Sequence, residues 1–109
     1  MHRFCWVTCR DRAEARAIGE ALVGERLAAC ANILPIMESI YRWKGTVETA
    51  DEAVLILKTR EALVPRLTAR VRALHSYECP CVVALPVTDG NPAYLAWIDA
   101  ETAGSGEVE

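Results

Sequence analysis

The stretch LHSYECPC, Leu74 to Cys81, places an imidazole, a phenol, a carboxylate and two thiols around one proline. In an extended segment residues 79 and 81 point to the same side. Cys79 and Cys81 can therefore offer two thiolates to one ion, with His75 as a third ligand. Thiolates and imidazole suit Cu(I) or Zn(II). The C-x-C spacing is not the C-x2-C of a structural zinc site, and no second pair accompanies it. A structural reading stays open beside the metal one: His75 ends a helix, where a cation is welcome, and Cys81 begins a buried strand. Cysteine with histidine could also make a nucleophile and its base. No orienting third residue, oxyanion element, Gly-rich phosphate loop or paired acidic motif can be named with them, so a non-enzyme is expected.

These residues must be positioned by the elements around them. FCWVTC (4–9) is β-rich and short, a first strand. Asp11 followed by Glu14 reads as a capping box, and Ala17, Ile18, Ala21 and Leu22 give one apolar helical face, so a helix is expected over 11–25 with Gly24 as its stop. Residues 31–43 and 47–59 read as two long antiparallel arms, with Lys44-Gly45 at the tip. A helix over 60–75 follows, capped by Thr59, with Leu63, Leu67, Val71 and Leu74 as its stripe. CVVALPVT (81–88) is a continuous apolar run and reads as a buried strand. Asn91 and Pro92 open a last helix over 92–102. The order β-α-β-β-α-β with a short C-terminal helix predicts an α+β, ferredoxin-like fold. A single domain over 1–103 with a flexible tail at 104–109 is expected.

The two arms raise a problem of size. Thirteen residues of strand span about 43 Å, whereas a compact domain of this length is only about 34 Å across. A straight hairpin would overhang its own domain and leave Tyr41, Trp43 and Val47 in water. Packing on a neighbouring subunit is the favoured solution; strong bending at Pro35 is the alternative.

Composition narrows the classes. The 109 residues are 52% hydrophobic and 25% charged, enough for a real core, and the net charge is only -3. The arginines form no stripe with interleaved aromatics, so no nucleic-acid partner is expected. No apolar run approaches a membrane span, and the N-terminus has no export signal, so a cytoplasmic protein is expected. The odd count of 5 cysteines then predicts free thiols; Cys5 and Cys30 sit among apolar neighbours as small buried hydrophobes do.

Five motifs in order, ERLAACANILP (25–35), SIYRWKG (39–45), EAVLILKT (52–59), HSYECP (75–80) and YLAWI (94–98), resemble the CutA divalent-cation-tolerance family over about 4–100. The resemblance implies a ferredoxin-like homotrimer, similar in architecture to the PII signalling proteins, with the hairpin packed across subunits. It implies a role in the response to metal ions, with copper or another divalent ion as ligand and no obligatory cofactor. Family copper binding has been attributed to a Cys, a His and a Glu. Here Val7 stands at about the place of that cysteine, Cys81 replaces the glutamate and Ser76 replaces a proline. The expected metal set is His75, Cys79 and Cys81. The family motifs also supply Tyr41, Trp43, Glu52, Lys58, His75, Tyr77 and Glu78, which could converge on an inter-subunit cleft. Two other readings stay open: a PII-like trimer that binds a small anionic ligand in that cleft, and a structural scaffold for another protein.

Overall fold

A computed structural model describes residues 1–104; the expected tail, apart from Gly104, lies outside the described residues. The elements run β1 (His2–Cys9), α1 (Arg12–Gly24), β2 (Cys30–Trp43), β3 (Thr46–Arg60), a 3-10 turn (Glu61–Leu63), α2 (Val64–Leu74), β4 (Val82–Val87) and α3 (Pro92–Thr102). The sheet order is β2-β3-β1-β4, and every pair is antiparallel. This is the α+β, ferredoxin-like arrangement expected. Each βαβ crossover skips one strand, so β3 lies between β1 and β2.

The core forms on one face of this sheet. Cys5, Val7 and Cys9 of β1 alternate inward beside Ala53, Leu55 and Leu57 of β3 and meet Ala15, Ile18 and Leu22 of α1 and Leu67 and Val71 of α2. The opposite face carries Phe4, Trp6, Val83, Leu85 and Leu34, as the period of two requires. Leu34, Val83 and Leu85 are each about half exposed there, at 48%, 48% and 49%. A large apolar strip is thus left uncovered by the chain's own helices.

The hairpin is built by its turn. Lys44 and Gly45 both have positive φ, 50° and 85°, the signature of a two-residue type I′ turn whose twist matches that of the strands. Pro35 and Ile36 fall in a bulge between the Leu34–Val54 and Met37–Glu52 pairs. Proline is accommodated because β2 is an edge strand. The hairpin stays long despite the bulge, and the molecule measures 44 Å along its greatest axis against 29 and 23 Å across.

Three local expectations need correction. Thr59 does not cap α2: it lies in β3, fully buried, and its hydroxyl donates to the Leu27 carbonyl at 2.7 Å. A 3-10 turn intervenes, and α2 begins at Val64 with Pro65 in its first turn, where a missing N–H costs little. The strand read as buried over 81–88 is the edge strand β4, half exposed, and Cys81 lies outside it and is exposed. An unbroken apolar run cannot distinguish a strand covered by its own chain from one covered by something else. The Asp11–Glu14 capping box is half formed. Asp11 accepts from the Glu14 N–H at 2.9 Å, but the Glu14 carboxylate returns to the Arg10 N–H instead.

Candidate functional site

A cavity of about 700 Å³ opens between the hairpin and the loop that follows α2. The loop supplies Tyr77, Glu78, Cys79 and Cys81 to its wall. β2 supplies Glu38, Tyr41 and Trp43, β3 supplies Glu52, and the end of β1 supplies Thr8. Thr8 and Glu52 belong to the sheet face opposite the core. The Tyr77 hydroxyl donates to Glu52 Oε2 at 2.6 Å, fastening the loop to the base of the hairpin. Burial, and then this bond to a carboxylate, raise the phenol above its ordinary pKa. Glu52 is only 8% exposed, yet no basic side chain pairs with it among the described residues. Cys79 and Cys81 are free and exposed at this wall.

A second cluster lies close by, within the core side of the fold. Cys9, Glu14 and His75 bring one donor atom each to within 4.8 Å of one another, and all three are buried. The imidazole is fixed by backbone on both sides. His75 Nε2 donates to the Thr8 carbonyl at 2.7 Å, and Nδ1 accepts from the Tyr77 N–H at 3.0 Å. Glu14 is held in the same way, with Oε1 accepting from the Arg10 N–H and Oε2 from the Ser76 N–H, both at 2.8 Å. Burial raises the Glu14 pKa, but the hydrogen bonds from Ser76 and Arg10 outweigh it, and the net position lies below the ordinary glutamate value. Burial, with Glu14 and other carboxylates nearby, pushes the Cys9 thiol up to about 12. Burial likewise pushes Cys5 up to about 11. The cluster therefore holds a protonated thiol and two side chains whose polar atoms are already taken. A metal ion there would have to displace the backbone from an imidazole nitrogen and take the proton from the thiol.

The structure sorts the sequence-predicted residues. Tyr41, Trp43, Glu52, Tyr77 and Glu78 come together at the cavity with Cys79 and Cys81. His75 does not join them. It ends α2, as expected, but its side chain is wholly buried and committed to Thr8 and Tyr77. Among the described residues His75, Cys79 and Cys81 do not gather as one donor set. Lys58 also lies apart: its ammonium bonds the Tyr94 hydroxyl at 3.2 Å and sits 5.1 Å and 5.4 Å from the ring centres of Phe4 and Tyr94. Sequence reasoning saw Glu14 only as a helix cap. Its tie to Ser76, 62 residues away, has no local signal.

A family model described as CutA1 divalent ion tolerance protein matches residues 3–101. "Protein CutA" of Mus musculus is 47% identical over 97 residues, covering 89% of this chain and 55% of that protein. "Divalent-cation tolerance protein CutA" of Thermus thermophilus is 46% identical over 102 residues, covering 94% of this chain and 99% of that protein. The chain thus spans about half the length of the mouse relative and nearly all of the bacterial one. The structure of the periplasmic divalent cation tolerance protein CutA from Archaeoglobus fulgidus superposes with a TM-score of 0.91 at 37% identity, covering 94% of this chain and 99% of that one.

Proposed function

The chain belongs to the CutA1 divalent ion tolerance family, and on that premise we propose that it is a non-catalytic homotrimer of the metal-ion response whose cavity receives a soft metal ion. The observation that carries the metal reading is the pair of exposed thiols, Cys79 and Cys81, on the cavity wall beside Glu78 and Glu52. Two thiolates favour Cu(I) over the hard ions Mg(II) and Ca(II), which want oxygen cages. When bound, copper would be held by these two sulfurs, with the neighbouring carboxylates offsetting its charge. Competition titration with a Cu(I) chelator tests this. Cys79→Ser with Cys81→Ser should weaken binding at least roughly tenfold, as soft ligands give way to hard ones. Equal affinity in the double variant would end the metal reading.

Assembly is supported by the uncovered sheet face. Leu34, Val83 and Leu85 with the hairpin residues Ile40, Tyr41, Trp43 and Val47 expose more apolar surface than a monomer of this size ordinarily tolerates. Covering that face by two further copies would close the cavity into an inter-subunit cleft. Light scattering should give three times the 12.0 kDa chain mass, and a folded monomer at micromolar concentration would refute the trimer. A cytoplasmic location agrees with five free cysteines. No helix of the described residues is long and apolar enough to cross a membrane. The PII-like reading with an anionic ligand is weaker, because no Lys or Arg lines the cavity and Lys58 is engaged elsewhere.

A further inference from the structure

The cavity's charge is unbalanced. Glu38, Glu52 and Glu78 line it, no basic side chain does, and none of the three is in an ion pair among the described residues. Glu52 is the telling member. It is more than nine-tenths buried and receives one hydrogen bond, on Oε2, from Tyr77. A buried carboxylate is ordinarily paired with a cation. Among the described residues no cation pairs with it, and one from outside the chain would complete the pair.

The rest of the wall says what kind of cation fits. Tyr41, Trp43 and Tyr77 bring three aromatic rings to the same space. Ring faces attract ammonium groups, and a set of rings around a carboxylate is the usual cradle for an alkylated amine. The volume of about 700 Å³ is that of a small-molecule site, not of a bare ion. Nor do the carboxylates and thiols of the wall gather in threes around one point; among the described residues that grouping occurs only at Cys9, Glu14 and His75. The chain shows the same chemistry within itself, where the Lys58 ammonium sits over the rings of Phe4 and Tyr94 and the Lys44 ammonium lies 5.7 Å from the ring centre of Trp43.

We infer that the cavity binds a small organic cation, a protonated or quaternary amine, with Glu52 as its counter-ion and Tyr41, Trp43 and Tyr77 as its walls. The inference rests on the reading of this cavity as the ligand site but not on metal binding. The thiols hold soft metal at one part of the wall, and the ammonium is held by carboxylate and rings.

Choline is the probe, and 3,3-dimethylbutan-1-ol, which has the same shape without the charge, is the control. Calorimetric titration of the full-length protein should show choline binding roughly tenfold or more tighter than the neutral alcohol, the range a desolvated cation–ring contact provides. Glu52→Gln keeps the acceptor for Tyr77 and removes the charge; it should weaken choline binding several-fold and leave the alcohol unaffected. Tyr41→Leu, with light scattering to check that its assembly is that of the native protein, should do the same. Choline binding no tighter than the alcohol in the native protein would overturn the inference, as would choline affinity unchanged in both variants. The Cys79→Ser, Cys81→Ser variant separates the two readings. Lost Cu(I) binding with choline binding intact supports both. Absent Cu(I) binding in the native protein with choline binding intact sinks the metal reading alone. Choline binding lost with the thiols overturns the assignment to Glu52 and the rings.

Discussion

The buried cluster of Cys9, Glu14 and His75 and the open cavity of Glu52, Cys79 and Cys81 use nearly the same residue types under opposite conditions. In the cluster, both oxygens of Glu14 and both nitrogens of His75 end on backbone groups of Thr8, Arg10, Ser76 and Tyr77. Those bonds join the β1–α1 turn to the loop after α2. In the cavity, Glu52 has one bond from Tyr77 and no cation among the described residues, and the two thiols are exposed. The first set is consumed by the fold and the second is left over. Proximity of cysteine, histidine and glutamate is therefore a poor guide to a ligand site; what matters is whether their lone pairs are already occupied.

The largest test of that contrast is a pair of glutamate substitutions. Glu14→Ala should destabilise the protein by about 3 kcal/mol, because two buried N–H groups lose their acceptor. Glu52→Gln should change stability by less than about 1 kcal/mol, since it keeps an acceptor for Tyr77. Urea unfolding at one fixed protein concentration measures both. Equal losses would mean that the cavity carboxylate is as structural as the buried one.

Ser76 offers a finer cut. The family resemblance implies proline where this chain has Ser76, and here the Ser76 N–H bonds Glu14. His75 already has φ -79° and ψ 145°, a conformation that a following proline accepts. Ser76→Pro therefore removes the N–H and the hydroxyl, both of which serve Glu14, with little backbone strain. A net loss of about 1 kcal/mol is expected, the hydrogen bond being partly offset by the stiffer unfolded chain. Ser76→Ala, which keeps the amide, should cost less. No loss with proline would show that Glu14 does not need this donor.

Acid should act through the cluster too. The folded state holds Glu14 below its ordinary value of 4.5. The unfolded chain then binds that proton more readily, so the contribution is full above the ordinary value and is lost as pH falls through the folded one. Stability measured from pH 6 down to 3 should fall less steeply in Glu14→Gln than in the native protein. Identical slopes would assign the acid sensitivity elsewhere.

The element order, the hairpin with its Lys-Gly tip and the core residues Ile18, Leu22, Leu63, Leu67 and Val71 were legible because each is a matter of local period or turn chemistry; Ala17 and Leu74, read into the same stripes, are exposed. Thr59 was misread because its neighbours along the chain look like a helix start, while its register opposite Arg3 makes it a strand residue. β4 was read as buried because apolarity does not say which partner covers it. His75 was placed with Cys79 and Cys81 by nearness in sequence. The Thr8 carbonyl and Tyr77 amide that turn it inward belong to contacts between the end of β1 and a loop 67 residues away, and no periodicity reports those. Tyr41, Trp43, Glu52, Tyr77 and Glu78, taken from the family motifs, line one cavity.

The smallest expected effect is at Cys81, and its smallness is the point. The family resemblance implies glutamate there. Had Cys81 opened a buried strand, Cys81→Glu would bury a carboxylate and cost several kcal/mol. The residue is exposed at the cavity wall, so the change should alter stability by no more than about 0.5 kcal/mol. Thiol labelling with iodoacetamide at pH 8 gives the companion measurement. Native protein should react quickly at Cys79 and Cys81, while Cys5 and Cys9, buried and held protonated with values near 11 and 12, should wait for unfolding. In Cys81→Glu one fast site should disappear and the slow ones should be unchanged. Accelerated labelling of Cys9 in that variant would show that the loop carrying residue 81 helps to keep the Cys9–Glu14–His75 cluster shut. The two regions would then be coupled through Tyr77, which donates its backbone N–H to His75 and its hydroxyl to Glu52.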